Sequence, residues 1–342
     1  MKAVIFRQHG GPDMLEYVDV PDPHPGAGQI LVRVKACGIN YLDLWARQGI
    51  AAYTITLPHI SGADVAGIVE QVGPGVTRVR PGDQVVLEPG LSCGLCDWCR
   101  TGVESRCVAY GIRGAATDGG YAELTLADAD HAMPIPTGVS FEEAAAFPLV
   151  FLTAWHMLIG RARLQAGETV LVHAAGSGVG HAAVQIAKHL GACVYATVGA
   201  DWKVPKAKAL GADAVIHAQQ EPLEPRIKTL THGRGIDVVV EHVGPQTWES
   251  SVRLLAKGGR LVTCGATTGP SVPLDLRYVF SRQLTILGSM MGNRAELRTV
   301  RELIGARKLR PIVDTVLPLQ EARAAQERLL RRDVFGKLVL VP

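Results

Sequence analysis

Hydrophobic and polar positions follow two different periods along this chain. In roughly the first third, apolar and polar residues alternate in QILVRVKA and in DVAGIVEQVGPGVTRVRPGDQVVL, with Gly and Pro between the runs. This period of two predicts half-buried antiparallel strands joined by tight turns. From about residue 140, short continuous apolar runs such as TVLVHAA and CVYATV alternate with helical segments. Continuous apolar strands joined by helices predict a parallel sheet that is covered on both faces.

The two patterns predict an α/β protein of two domains, which a chain of 342 residues is long enough to form. Six apolar strands separated by helices make a doubly wound parallel sheet of the dinucleotide-binding type, assigned to residues 151–289. Residues 1–150 form a half-open β-domain, and the tail 290–342 returns to it with two helices and the strand GKLVLVP. The segment VSFEEAAAFPLVFLTAWHMLIG is predicted to be one continuous helix, because Ser140 and Glu143 at its start have the spacing of a capping box.

Composition and charge exclude several classes of function. Hydrophobic residues make up 47% of the chain and charged residues 20%, which is too apolar for a disordered protein. The net charge is only +3 with scattered Lys and Arg, so neither nucleic acid nor a membrane surface is indicated as a partner. The start MKAVIFRQHGGPD lacks a signal-peptide layout, and no apolar run approaches the roughly 20 residues of a membrane span. Seven cysteines, four with metal spacing, are typical of a reducing compartment, so we expect a cytoplasmic protein acting on a small molecule.

Four cysteines between residues 90 and 110 form the strongest chemical signal. The segment GLSCGLCDWCRTGVESRC has the spacing C-x2-C-x2-C-x7-C, made by Cys93, Cys96, Cys99 and Cys107. Each short spacing lets two thiolates on one turn point at a common centre, and the fourth comes from the returning part of the loop. Four thiolates leave no open coordination position, so the spacing predicts one structural zinc ion.

The turn after the first parallel strand is rich in small residues. It reads HAAGSGVGH, and its candidate contacts to a dinucleotide are Gly176, Ser177, Gly178, Val179 and Gly180. Ala175 and Ser177 occupy the first two glycine positions of a G-x-G-x-x-G motif, yet small side chains still let a pyrophosphate approach the N–H groups of a helix N-terminus. At the first strand-to-helix junction of a six-strand series, this turn predicts a dinucleotide site.

The end of the next strand bears on which dinucleotide is bound. NAD sites place an acidic residue there to hold the ribose hydroxyls. This strand ends at Val198-Gly199, and the first acidic residue is Asp201, followed by Lys203 and Lys206. We therefore expect NADP(H), with Lys203 and Lys206 as candidate contacts to its 2′-phosphate and Gly199 among the cofactor-binding residues. NAD is the alternative if Asp201 reaches the ribose.

Together these motifs resemble the medium-chain dehydrogenases/reductases of the zinc alcohol dehydrogenase superfamily. The resemblance runs nearly end to end and rests on the β-domain, the cysteine lobe after PGDQVVLEPG, the AAGSGVG turn, KALGAD and FGKLVLVP. It implies a GroES-like first domain and a Rossmann second domain. Alcohol dehydrogenases of this superfamily hold a second, catalytic zinc, whose ligand positions correspond here to Asn40, Ala63 and about Leu149. These side chains cannot hold zinc, and Leu42 replaces the usual proton-relay hydroxyl, so the resemblance implies a lost catalytic metal.

Two further motifs resemble one branch of the superfamily. Gly-Ile-Asn-x-x-Asp and Gly-x-Asp-x-Ala-Gly are similar to zinc-independent quinone oxidoreductases and enoyl reductases, and the match is carried by Asn40, Asp43 and Asp64. That branch usually lacks the cysteine lobe, so the chain mixes two patterns. The resemblance implies NADP(H)-dependent reduction of quinones or α,β-unsaturated carbonyls by hydride transfer. Two alternatives stay open: an alcohol dehydrogenase with a zinc rebuilt on Cys37, His59 or Asp64, and a non-catalytic scaffold or sensor that binds NADPH.

The former metal centre also supplies the candidate catalytic residues. Asn40 and Tyr41 are candidate hydrogen-bond donors to the acceptor, and Asp64 belongs to the same pair of motifs. A phenol suits the protonation of an enolate. Tyr53 is a candidate for closing the pocket, with Trp45 as a wall.

The resemblance extends to the nicotinamide end of the cofactor and to assembly. The positions it implies near the carboxamide and the ring are Thr153, Val243, Gly265 and Ser289. The apolar last strand, within residues 284–290, would leave an exposed sheet edge unless it is paired. The resemblance implies that this edge pairs with its twin in a homodimer, with a tetramer as the larger alternative.

Overall fold

Two units make up the protein in this computed structural model, which describes residues 1–49 and 54–342. The first unit contains residues 1–149 and 293–342, and the second contains residues 150–292. Both divisions fall within three residues of the boundaries predicted from the sequence. Tyr53 lies outside the described residues.

The first unit is dominated by a seven-stranded sheet that draws strands from both of its chain segments. Along the main path, hydrogen bonds join the strands in the order Ala132–Pro134, Gln84–Leu87, Asp64–Val72, Gln29–Gly38, Lys337–Val341 and Val313–Pro318. Leu124–Asp128 pairs with Gln29–Gly38 off this path. The alternating side chains of these strands are buried on one face, as the core residues show: Ile30, Val32, Val34, Val65, Val85 and Leu340.

Smaller elements complete the first unit. A three-stranded sheet has the order Glu16–Asp19, Lys2–Phe6 and His59–Ile60. A two-stranded ladder of Gly90–Leu91 and Gly111–Ile112 frames the cysteine lobe. The α-helices of this unit are Tyr41–Gln48, Asp97–Arg100, Phe141–Ala145, Arg294–Gly305 and Ala322–Leu330. Its short 3-10 helices are Pro12–Met14, Glu104–Arg106, Ala129–His131 and Leu319–Glu321.

The second unit contains the predicted six-stranded sheet, and all of its pairings are parallel. Across the sheet the strands follow the order Ala214–His217, Cys193–Val198, Thr169–Val172, Ile236–Glu241, Leu255–Thr263 and Thr285–Gly288. In chain order this is 3-2-1-4-5-6, the doubly wound arrangement of dinucleotide-binding sheets. The prediction of a GroES-like domain with a Rossmann sheet is therefore confirmed.

Helices connect these strands. They are Pro148–Trp155, the π-helix His156–Arg161, Gly178–His189, Lys203–Ala209, Leu223–Leu230, Trp248–Leu254 and Leu276–Arg282.

The capping box at Ser140 is present, since Glu143 N–H donates to Ser140 Oγ and Ser140 N–H donates to Glu143 Oε2, both at 3.2 Å. The helix that begins there is interrupted before Pro148 rather than continuous, because proline cannot donate a backbone hydrogen bond. Across the described part of the chain, none of the helices has the length and apolar character needed to cross a bilayer.

Candidate active site and metal centre

The cysteine lobe brings four sulfur atoms together. All four Sγ atoms lie within 4.8 Å of one another. The separation is 3.5 Å for Cys93–Cys107 and for Cys96–Cys99, and 3.9 Å for Cys93–Cys99. A tetrahedral zinc ion with Zn–S bonds of about 2.3 Å requires sulfur separations of about 3.8 Å. The lobe therefore has the geometry of a closed four-thiolate zinc site.

Backbone turns and amides shape this lobe. Gly94 and Gly102 have φ angles of 69° and 74°, where a side chain would be strained. The amides of Leu95 and Cys96 lower the pKa of Cys93 to about 6 by hydrogen bonding to its sulfur. A lower pKa favours the thiolate, which is the form that binds a metal ion.

Asn40, Asp64 and Lys337 form a buried polar cluster, and Asn40 is one of the three positions that the resemblance matches to catalytic zinc ligands. Their exposed fractions are 4%, 0% and 2%. Lys337 Nζ donates to Asn40 Oδ1 at 2.5 Å and to Asp64 Oδ2 at 3.1 Å, and Asn40 Nδ2 donates to Asp64 Oδ2 at 2.9 Å. The other carboxylate oxygen of Asp64 accepts the Leu149 N–H at 2.8 Å. A lysine ammonium group is thus the counter-ion of Asp64 here.

The amide of Asn40 is fully engaged in this cluster. Its Nδ2 group contacts Gly38 O at 3.4 Å in addition to Asp64, and its oxygen accepts from Lys337. Asn40 and Asp64 therefore hold Lys337 in place, and the roles predicted for them in substrate contact stay predictions.

Asp43 forms a second buried polar group next to this cluster. Its Oδ2 atom accepts the Asn40 N–H at 2.8 Å and the Tyr121 hydroxyl at 2.9 Å, and its Oδ1 atom accepts the Gly62 N–H at 3.3 Å. Burial raises the pKa of Asp43 to about 6, although these donors oppose the shift. The contact to Asn40 lies at the N-terminus of helix Tyr41–Gln48, so the Asn-x-x-Asp spacing has a local structural reason.

Tyr41 is the first residue of that helix. Its half-buried ring packs edge-on against Trp45, with centroids 5.4 Å apart. Within residues 1–49 and 54–342, nothing is hydrogen-bonded to its hydroxyl. Of the predicted catalytic side chains that the structure describes, Tyr41 is the one with an uncommitted donor.

Cys37, His59 and Asp64 do not gather into a second metal site. In the described part of the chain, the four lobe cysteines are the one set of three or more potential ligands that lie close enough together. His59 Nε2 lies 2.9 Å from Gly114 O, and Cys37 is buried against Gly62. Asp64 is already engaged by Lys337.

The candidate dinucleotide loop lies in the second unit, between strand Thr169–Val172 and helix Gly178–His189. Ser177 caps helix Gly178–His189, and its Oγ atom accepts the Gly180 N–H at 2.9 Å. A Cβ atom on Gly180 would lie 2.2 Å from Ala174 O, so this position must be glycine for the helix to pack closely on the preceding turn. Thr197, on the next strand, holds the loop through its Oγ1 atom, which accepts the Ala174 N–H at 3.0 Å.

The segment after strand Cys193–Val198 holds the candidate ribose contacts. Both oxygens of Asp201 accept hydrogen bonds from Gln220 Nε2, at 3.1 and 3.2 Å. The ammonium groups of Lys203 and Lys206 lie 5.1 and 4.9 Å from the ring centre of Trp202. The acidic residue is thus engaged by an amide, and two cations share one indole ring.

The candidate nicotinamide contacts lie at the ends of later strands. Val243 N–H donates to Glu241 Oε1 at 2.7 Å, which fixes the turn after strand Ile236–Glu241. The backbone oxygen of Gly265 accepts from Thr263 Oγ1 at 3.3 Å. The Oγ atom of Ser289 is buried and has no hydrogen-bond partner among the residues that the structure describes. The hydroxyl of Thr153 donates to the sulfur of Met291 at 3.8 Å.

Several residues of these sites were not predicted from the sequence. Lys337 and Tyr121 complete the buried groups in the first unit, and Glu241 organises a turn in the second. In the sequence Lys337 stands out only as part of the FGKLVLVP segment. Because a lysine side chain is normally exposed, its burial could not be predicted. Glu241 offers a better signal, since it is an acidic residue at the end of a continuous apolar strand.

Comparisons with known proteins agree with this architecture. Residues 26–137 match the family model described as the alcohol dehydrogenase GroES-like domain, and residues 178–306 match the one described as zinc-binding dehydrogenase. An alcohol dehydrogenase from Geobacillus stearothermophilus is 35% identical over 342 residues, which is 99% of each chain. A quinone oxidoreductase from Rattus norvegicus is 30% identical, and the match covers all of this chain and 98% of the relative. A crystal structure described as an NAD-dependent alcohol dehydrogenase is 45% identical, with a TM-score of 0.97 over the whole of both chains.

Proposed function

Since the chain belongs to the zinc alcohol dehydrogenase superfamily of medium-chain dehydrogenases/reductases and is an NAD(P)-dependent oxidoreductase, we propose that it reduces quinones or α,β-unsaturated carbonyls. The proposed cofactor is NADP(H), and the proposed metal content is one structural zinc ion at the four cysteines. The observation that carries this proposal is the Asn40–Asp64–Lys337 cluster, in which Asn40, at one of the three positions matched to catalytic zinc ligands, is engaged by Asp64 and Lys337.

This cluster favours reduction over alcohol oxidation. Oxidising an alcohol requires removal of its hydroxyl proton, a step that a zinc ion assists. Reduction of a conjugated carbonyl instead places negative charge on the carbonyl oxygen, which hydrogen-bond donors can stabilise without a metal. When bound, the reduced nicotinamide supplies the hydride.

Tyr41 is the proposed donor to the acceptor. Its uncommitted hydroxyl can donate to the developing oxyanion and then give up its proton, while the Asn40–Asp64–Lys337 cluster anchors the helix start that carries it. Tyr41→Phe should lower kcat by about 100-fold or more with a smaller change in KM. Tyr17→Phe, which changes an exposed tyrosine on strand Glu16–Asp19, is the matched control and should have no effect.

The NADP(H) preference is supported by the segment after Val198. Asp201 is engaged by Gln220, and Lys203 and Lys206 supply positive charge suited to a 2′-phosphate. Lys203→Met should lower kcat/KM for NADPH by about tenfold and leave that for NADH unchanged. Lys208→Met, on the same helix, serves as the control.

A second candidate function is NAD-dependent alcohol oxidation. It is favoured by the similarity to structures and relatives described as alcohol dehydrogenases. Under this reading NAD would replace NADP(H), and a zinc ion would have to be held by unorthodox ligands.

One experiment separates the two candidates. Protein purified without added metal is assayed for zinc per monomer and for turnover of quinones, enones and alcohols with both cofactors. The reductase proposal expects one zinc ion per monomer. It also expects that a quinone or enone oxidises NADPH and that weak chelators do not inhibit this reaction. Two zinc ions together with chelator-sensitive alcohol oxidation would overturn it in favour of the second candidate.

We also propose a homodimer through the edge strand Thr285–Gly288. Among the residues that the structure describes, the strand pairs on one side only, with Leu255–Thr263. The neighbouring helix exposes 67% of Leu276 and 70% of Phe280, which is apolar surface suited to a partner copy. Ile286→Lys should halve the mass measured by light scattering, whereas Val316→Lys, at an exposed apolar position of the first unit, should not. An unchanged mass for Ile286→Lys would refute this interface.

A further inference from the structure

A buried hydrogen-bond chain runs through the second unit, and the proposed reaction does not use it. Its members, which we call the Glu241 chain, are Thr197, His173, Ser251 and Glu241. Thr197 Oγ1 lies 3.4 Å from His173 Nδ1, His173 Nε2 lies 2.9 Å from Ser251 Oγ, and Ser251 Oγ donates to Glu241 Oε2 at 2.7 Å. All four residues are almost completely buried.

The direction of these hydrogen bonds follows from the carboxylate. Because Ser251 gives its proton to Glu241, the Nε2 atom of His173 must donate to Ser251, and its bare Nδ1 atom accepts from Thr197. We assign this tautomer from the network. Burial lowers the pKa of His173 to about 4, so the imidazole is neutral near pH 7. Each hydroxyl then donates once and accepts once, and the chain is fully satisfied.

One end of the Glu241 chain holds the dinucleotide loop. Thr197 Oγ1 accepts the N–H of Ala174, which has a left-handed φ of 47° and directly precedes the small-residue turn. Thr197 O also accepts the Ala175 N–H at 2.9 Å. These contacts from Thr197 hold Ala174 in a backbone conformation that is unfavourable for any residue other than glycine.

The other end holds the turn at residues 242–247. Glu241 accepts the N–H groups of Val243 and Gly244 at 2.7 and 3.0 Å and the Thr247 hydroxyl at 2.8 Å. Burial raises the pKa of Glu241, and the hydrogen bonds from the Ser251 hydroxyl and from the Gly244 and Val243 amides lower it. A buried carboxylate of this kind loses much if any donor is removed.

We propose that the Glu241 chain positions the cofactor by coupling the dinucleotide loop to the turn at 242–247. The inference rests on the proposed cofactor site, in which the loop meets the pyrophosphate and the turn lies near the nicotinamide. Its four members are positioning residues, since each acts on the cofactor through backbone that it holds. A displacement at either end changes the hydrogen bonds available at the other, because a satisfied network responds as a unit.

Two substitutions that cut the chain at different links test this coupling. Thr197→Val removes the hydroxyl between the loop and His173 with little change in shape, and Ser251→Ala removes the link between His173 and Glu241. The dissociation constants of NADPH and NADH are measured by fluorescence titration for wild type, both single variants and the double variant, with no acceptor present. Thr229→Val is the matched control, because Thr229 Oγ1 donates to Pro225 O at 3.1 Å in the same unit and lies outside both the chain and the two segments that it holds.

The proposal expects each single variant to weaken cofactor binding by about tenfold. The double variant should bind the cofactor with the same affinity as the single variant that binds it less tightly, because either substitution breaks the same chain of hydrogen bonds. Thr197→Ser, which keeps the hydroxyl, should bind the cofactor as wild type does, and Thr229→Val should match wild type. Fold losses that multiply in the double variant, or single variants that bind normally, would overturn the coupling. A wild-type protein that bound neither nucleotide would instead refute the proposed function itself.

Discussion

Replacing Lys337 with methionine tests whether the buried cluster stabilises the first unit as its geometry implies. The change keeps the length of the side chain but removes the ammonium group that lies 3.1 Å from Asp64 Oδ2. Asp64 would retain its hydrogen bonds from Asn40 and Leu149, but it would lose the counter-ion that the described residues supply. Removing one partner of a buried ion pair costs about 3–5 kcal/mol, so we expect Lys337→Met to lower the free energy of unfolding by that amount.

The double variant Lys337→Met/Asp64→Asn should be more stable than Lys337→Met alone. Without the carboxylate there is no uncompensated charge, and the Asn40 oxygen freed by the loss of Lys337 can accept from the new amide. The assay is urea unfolding at constant zinc concentration, followed by circular dichroism. Lys2→Met is the matched control, since its ion pair with Asp19 is shorter, at 2.6 Å, but exposed, and its loss should leave stability nearly unchanged. If Lys337→Met cost no more than Lys2→Met, or if the two cluster substitutions were additive, the reasoning would be refuted.

Three further outcomes are expected. Because burial raises the pKa of Asp43 to about 6, the unfolded chain loses this proton at lower pH than the folded one, so wild type loses stability as pH rises from about 4 to 6. Asp43→Asn removes this loss, and urea titrations should show its stability relative to wild type rising by about 2 kcal/mol between pH 4 and 7. Gly180→Ala places a Cβ atom 2.2 Å from Ala174 O and should weaken NADPH binding by at least about tenfold, and unchanged binding in a titration would contradict this role of the loop. Cys99→Ser should lower the zinc content measured by elemental analysis by one ion per chain, and retention of that ion would contradict the assignment of the lobe.

Local patterns explain what the sequence could predict. Three features depend only on residues within about fifteen positions of one another, so they can be predicted from the sequence alone. They are the cysteine spacing, the capping box at Ser140 and the small residues before Gly180. The six parallel strands were predictable for the same reason, because each is a short continuous apolar run. The prediction of one continuous helix across Pro148 is wrong. It rests on the continuous apolar pattern of this segment and does not take account of the backbone N–H that proline lacks.

The candidate site was less predictable because its contacts are distant in sequence. Lys337 is 273 residues from Asp64, and their contact depends on the strands Lys337–Val341 and Asp64–Val72 both flanking Gln29–Gly38. The resemblance gave Asn40 and Asp64 as motif residues but supplied no reason for their burial. Once the strand order is known, the reason is physical: an acid and an amide in the core require a donor, and the strand Lys337–Val341 brings one.

The central place of the strand Lys337–Val341 also bears on how the protein is made. Its partners on either side in the sheet are Gln29–Gly38 and Val313–Pro318, so the first 149 residues leave the ribosome long before their sheet can be completed. The second unit is contiguous and can fold while synthesis continues. The first unit cannot complete its sheet until the strand Lys337–Val341 has been synthesised. Synthesis of this strand, rather than growth of the N-terminal part, is then the event that lets the first unit form its native sheet.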